Sequence, residues 1–117
     1  MSENRWQDIF LHLKNNGFEV YPPGTKIGEC KSPYIVVKNN GQVKMAGLST
    51  GKDLYSVMVY VPKNKYSILE SKVEEVKKSL NRLKPMVVFD GTQTPSFYDD
   101  AVKAHMISLQ YRNYKKL

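Results

Sequence analysis

The stretch Leu54–Leu80, "LYSVMVYVPKNKYSILESKVEEVKKSL", changes its hydrophobic period halfway along, and that change decides the fold class. In "LYSVMVYV", Leu54 to Val61, the residues Tyr55, Val57, Val59 and Val61 fall on one side and Ser56, Met58 and Tyr60 on the other. That alternation is the mark of a β-strand, and Pro62, which has no amide hydrogen to donate, stops it. From Tyr66 to Leu83 the spacing switches to fours and threes: Leu69, Val73, Val76, Leu80 and Leu83, with Tyr66 one turn earlier. This predicts an amphipathic helix with one continuous apolar stripe, about 27 Å long at 1.5 Å per residue. Glu74 and Lys78 pair at i, i+4 on its wet side, and Pro85 ends it.

On the N-terminal side, Trp6, Ile9, Phe10 and Leu13 share one helical face, with Asn4 as an N-cap and Gln7 three residues on. Gly17 in "KNNGF" ends this helix in the left-handed conformation, and Phe18 folds back on its last turn. "VYPPGTKIGECKSP" is a loop, and "YIVVK", Tyr34–Lys38, is a β-branched strand followed by a turn at "NNG". Gln42 to Asp53, containing "AGLSTGK", is expected to be a long flexible connection.

Beyond the second helix, "MVVF", Met86 to Phe89, is a short strand, and "DGTQTPSFYDDA" is a polar loop. The closing strand runs from Ala104 to Asn113, with His105, Ile107, Leu109 and Tyr111 facing one way and Met106, Ser108, Gln110 and Arg112 the other. The order α-β-β-α-β-β predicts a single α+β domain over residues 1–117. Its expected architecture is a four-stranded, mostly antiparallel sheet with two helices on one face.

At 117 residues and 41% apolar content the chain supports one modest core. No apolar run approaches the roughly 20 residues of a membrane helix, and the N-terminus lacks the layout of a signal peptide, so a cytosolic protein with no membrane contact is expected. Cys30 is the single cysteine, which excludes an internal disulfide and a cysteine-based metal site. The net charge of +7 comes from 18 bases and 11 acids and favours anionic partners. The bases are spread along the chain, with a modest concentration of seven between Lys63 and Lys84 and a tail of Lys103, Arg112, Lys115 and Lys116.

Catalytic patterns are weak. His12 and His105 are far apart and have no metal-binding spacing, so no metal ligand and no cofactor are expected. Asp99 and Asp100 are adjacent carboxylates, and with Asp90 and Lys103 they sketch a metal-dependent enzyme, but turn building accounts for the pair more simply. Ser96 has no nucleophile elbow. "GLSTGK" lacks the phosphate-loop spacing and precedes a strand where such a loop would open a helix. A small basic domain binding nucleic acid by its sheet face is the stronger alternative. Tyr60, Tyr111 and Tyr114 would serve as a stacking platform beside Arg112.

Four phrases taken in succession, "WQDIFLHLKNNG", "GECKSPYIVVK", "LYSVMVYVPKNKYSILESKVEEVKKSL" and "TPSFYDDAVKAHMISLQYRNYKK", cover most of the chain. Together they resemble the small tail-terminator, or tail-completion, proteins of tailed bacteriophages and prophage-derived tail-like particles. The resemblance implies a structural virion protein with no enzymatic activity and no cofactor. Its subunits would form a homohexameric ring on the head-proximal end of the tail tube, stopping polymerisation and presenting a surface to the connector, neck or sheath. DNA would meet it only in passing through the lumen.

A ring needs one edge of each subunit to meet a different edge of the next. The closing strand, about 33 Å long, overruns the third, about 13 Å long, so "RNYKKL" is expected to project. Tyr111, Arg112, Tyr114, Lys115 and Lys116 are therefore candidate interface residues. Lys44, Met45, Leu48 and Lys52 in one loop, and Thr94, Phe97 and Tyr98 in the other, are candidates for the subunit or tube interface.

Overall fold

The structure is a computed structural model and describes residues 5–44 and 50–116, with side chains over 5–44 and 51–113. The elements are α1 (Trp6–Asn15), β1 (Val20–Tyr21), β2 (Tyr34–Lys44), β3 (Thr50–Pro62), α2 (Leu69–Leu80), β4 (Val88–Gln93), β5 (Phe97–Asp99) and β6 (Ala104–Lys116). They form one α+β domain with a sheet ordered β1-β2-β3-β6-β4, and β5 pairs with β6 beside β4. Among the described residues only the β1–β2 pair is parallel.

The expected sheet of four strands is thus corrected to six. β1 and β5 are too short to alternate visibly, and their pairing with β2 and β6 makes them strands. The expected turn at "NNG" is also corrected. Gly41 does take a positive φ of 96°, and its amide donates to Asn39 Oδ1 at 2.9 Å. Between the pairs Asn39↔Tyr55 and Gln42↔Asp53, however, β2 advances one residue more than β3. The result is a β-bulge, and the strand carries on to Lys44.

The helices behave as their stripes predict, within tighter bounds. Asn4 lies outside the described residues, and among those described no side chain caps the start of α1. Its C-terminus closes as expected: Gly17 has φ 90°, Gly17 N–H bonds Lys14 O at 3.2 Å, and Phe18 N–H bonds Leu13 O at 3.1 Å. The second helix is shorter than its pattern. Residues Lys63–Ile68 and Asn81–Leu83 are 3-10 turns, and Lys65 (φ −121°, ψ 25°) breaks the helical path. Tyr66 accordingly leaves the stripe and is 54% exposed.

Both helices lie on one face of the sheet. Ile9 and Leu13 from α1 and Leu69, Val73, Val76 and Leu80 from α2 share one core with Ile35, Val37, Tyr55, Val57, Val59, Val61, Ile107, Leu109 and Tyr111. Two side-chain bonds lock this layer: Trp6 Nε1–H donates to Val37 O at 2.7 Å, and His12 Nε2 meets Ser79 O at 2.7 Å, so its proton sits on Nε2. The opposite face is covered only at the Ala104 end. There the 22–33 segment, through its buried Cys30, closes over Tyr34, Val36, Tyr60 and Met106, tied down by the Cys30 N–H bond to Val102 O at 2.7 Å. Tyr34 stacks on Tyr60 at 4.8 Å, and Lys26 Nζ sits 5.5 Å from the Tyr34 ring.

Candidate assembly surfaces

β6 does not project alone. It pairs with β3 in continuous register from Pro62↔Ala104 to Thr50↔Lys116, so the end expected to be free is, from Arg112 to Lys116, a strand supported along one side. Its other side passes beyond β4, whose pairing ends at Val88↔Arg112. Each long strand has 13 residues, and about 43 Å of strand accounts for most of the 47 Å length of the molecule.

The candidate residues separate into three groups. Tyr111 is a correction: it is 2% exposed in the helix-side core, with its ring 5.4 Å from Phe89, and it offers nothing to a neighbour. Its burial drives the phenol pKa upward. Thr94 is also engaged within the fold, as its amide donates to Ser108 O and its Oγ1 accepts from Ser108 N–H, both at 3.0 Å. Lys44, Phe97 and Tyr98 are exposed on strands. Met45 and Leu48 lie outside the described residues, and Tyr114, Lys115 and Lys116 are described by backbone register alone, opposite Lys52, Gly51 and Thr50.

Lys52 and Arg112 converge on a residue first considered for metal chemistry. Asp90 Oδ1 accepts from Arg112 at 3.0 Å and pairs with Lys52 Nζ at 3.6 Å, while Oδ2 accepts from Gln110 Nε2 at 2.6 Å. The carboxylate is only 12% exposed. Burial alone would raise its pKa, but the bonds from Gln110 and Arg112 and the charges of Lys52 and Arg112 outweigh it and hold the group below its usual range. Three strands are thereby clamped on the face without helices. Asp99 and Asp100 build the β5–β6 turn: Asp99 Oδ1 accepts from Ala101 N–H at 3.0 Å, and Asp100 pairs with Lys103 at 3.1 Å.

On the helix side of the same region, Tyr55 receives the Arg5 amide at 2.7 Å and donates to Asn113 Oδ1 at 2.8 Å. Burial, aided by the Asp53 charge and opposed by the Arg5 amide, pushes the Tyr55 pKa up to about 12.

The stacking platform envisaged for nucleic acid does not assemble. Tyr60 is buried beneath the 22–33 segment, and Tyr111 belongs to the opposite face. The exposed large apolar residues tell more. Leu11 (44% exposed) lies on α1, Val43 (44%) on β2, and Ile27 (81%) in the segment between β1 and β2. Tyr66, Met86, Phe97 and Tyr98 lie on the β4–β5 side, where Tyr66 and Tyr98 flank the His105 ring at 4.7 and 5.2 Å. Sequence reasoning found Phe97 and Tyr98 but missed Ile27 and Tyr66. Ile27 stands isolated between glycines in a loop, a signal that points to a solvent-exposed apolar residue.

No family model matches the chain, and no curated protein sequence matches it. Among solved structures 24 chains match. One of these, whose name carries no functional meaning, is 13% identical and aligns over 95% of this chain and 96% of its own with a TM-score of 0.51. At that identity the likeness shows the fold alone: this chain is similar to that protein along nearly its whole length.

Proposed function

We propose that the chain is a structural ring subunit that caps the head-proximal end of a phage tail tube, or of the tube of a tail-like particle. In this reading it assembles as a homohexamer in the host cytoplasm, halts tube growth and presents a surface to connector, neck or sheath proteins. The reading needs no catalytic step, cofactor or membrane.

The observation that carries it is that exposed apolar side chains occur on both sides of the sheet, with Val43 on β2 and Ile27 in the segment after β1, and Phe97 and Tyr98 on β5 and Met86 just before β4. A closed ring is built from a heterologous contact, in which two different surfaces of the same subunit meet. Strand edges supply both geometry and backbone hydrogen bonds for such a contact. The succession of sequence phrases resembling tail-terminator proteins points the same way.

The test is mass measurement and electron microscopy of the purified protein, alone and with tail tubes. Rings in solution, or rings formed only on tube ends, are expected. A chain that stays monomeric in both settings overturns the reading.

A further inference from the structure

Two surfaces on opposite faces of the sheet complement each other in polarity and charge. The first is the loop between β1 and β2, which holds Ile27 out at 81% exposure, the highest of the exposed large hydrophobic residues described. That exposure is built in. Thr25 donates to Pro22 O from its amide at 3.4 Å and from Oγ1 at 2.8 Å. Lys26 Nζ lies 5.3 Å from the Tyr21 ring and 5.5 Å from that of Tyr34. Beyond Ile27, Gly28 turns the chain at φ 84°, and the Cys30 amide anchors it to Val102 O at 2.7 Å. With both flanks braced, the loop has little ordering entropy left to lose on binding. Glu29, two residues from Ile27 and on its side of the buried Cys30, is exposed and forms no ion pair with any described residue.

The second surface is a groove of about 420 Å³ on the helix-bearing face, between the C-terminal half of α2 and the start of β4. α2 packs on β3 and β6, and the groove is the space it leaves over β4. The floor is apolar, made by Leu80, Val87, Phe89 and Tyr111, and three lysines line the walls. Lys77 is committed, 3.5 Å from Glu74 and 5.0 Å from the centre of the Phe89 ring. Lys78 and Lys84 are exposed and pair with no acid among the described residues. We propose that Ile27 of one subunit seats in this groove of the next, with its Glu29 reaching Lys78 and Lys84 on the rim. An apolar anchor in a desolvated centre with charges at the rim is the usual anatomy of a protein contact. The occupant is a second copy because this chain itself carries the matching chemistry, an aliphatic side chain with an acid beside it. Knob and socket are different surfaces of one chain, so the pairing is heterologous and continues from subunit to subunit. The inference rests on the ring reading and names the residues that meet.

Sedimentation velocity on the full chain measures assembly, with tail tubes added where the protein alone stays monomeric. Glu29→Lys should weaken assembly about tenfold, and so should Lys78→Glu/Lys84→Glu, because each sets like charges face to face. All three positions are exposed, so these variants should fold. The triple variant Glu29→Lys/Lys78→Glu/Lys84→Glu restores opposite charges across the contact and should return to within about threefold of wild type. Lys63→Glu/Lys65→Glu makes the same charge change on exposed residues of the turn before α2 and should not rescue Glu29→Lys. A short bis-maleimide should link Ile27→Cys/Lys84→Cys chains into dimers and longer oligomers, while Ile27→Cys alone, with Cys30 buried, stays unlinked. Dimers from Ile27→Cys alone would reveal a two-fold contact and overturn the inference, as would rescue by the Lys63 and Lys65 changes. Charge reversals that leave assembly intact, a triple variant no better than its parents, or an absent ladder would overturn this contact and leave the ring standing. A chain that stays monomeric with and without tubes would overturn both.

Discussion

The same three strands lead two lives. At the end formed by Tyr34–Val37, Val57–Val61 and Ala104–Leu109, both faces of the sheet are covered, one by the helices and the other by the 22–33 segment. At the other end, Lys38–Lys44 of β2 is exposed throughout, and Lys52 of β3 and Arg112 of β6 are held by Asp90. A strand here is not uniformly core or uniformly surface. In β2 the first half builds the core and the second half is exposed, with the Asn39–Gln42 bulge at the junction and the Asp90 clamp on the neighbouring strands.

The contrast is broken most severely at the covered end. Leu109 is fully buried, and Leu109→Ala should cost about 3 kcal/mol, lowering the melting temperature by roughly 10 °C. Lys44→Gln, exposed on β2 in the other half, should stay within about 0.5 kcal/mol of wild type. Calorimetry of the two variants checks both expectations. Comparable losses would mean that the outer strands carry as much of the fold as the core.

The junction should give a smaller, pH-dependent effect. Because the Asp90 pKa is depressed in the folded state, the native protein binds fewer protons there than the unfolded chain. Its contribution is fully present above the unfolded carboxylate value of about 3.9 and is lost as pH falls through the folded value. Asp90→Asn should therefore cost about 2 kcal/mol at neutral pH, and the gap from wild type should close as pH drops below about 4. Urea unfolding across that range measures it. A gap that stays constant with pH would remove the carboxylate charge from the account.

Much of the covered end was legible in the sequence. Period-two alternation identified Val57, Val59 and Val61, the i, i+3, i+4 spacing identified α1, and Gly17 marked its closure. Alternation had also grouped Tyr111 with Ile107 and Leu109, the information needed to withdraw it from the interface. The outer end was not legible, because "KNNGQVK" has no hydrophobic period and reads as turn and loop. It is a strand because β3 offers seven further residues of backbone to pair with, a tertiary cause absent from local pattern.

The central claim is that unlike edges meet, and a mixing experiment tests it most directly. One variant carries Ile27→Asp and Val43→Asp, and the other carries Met86→Asp and Phe97→Asp. All four positions are at least 44% exposed, so both variants should fold. Each alone keeps one usable edge and should sediment as the 13.5 kDa monomer under conditions where the wild type assembles. Mixed, they should form a one-to-one dimer through the two intact edges and grow no further. A mixture that remains monomeric, or either variant forming rings by itself, would contradict the account.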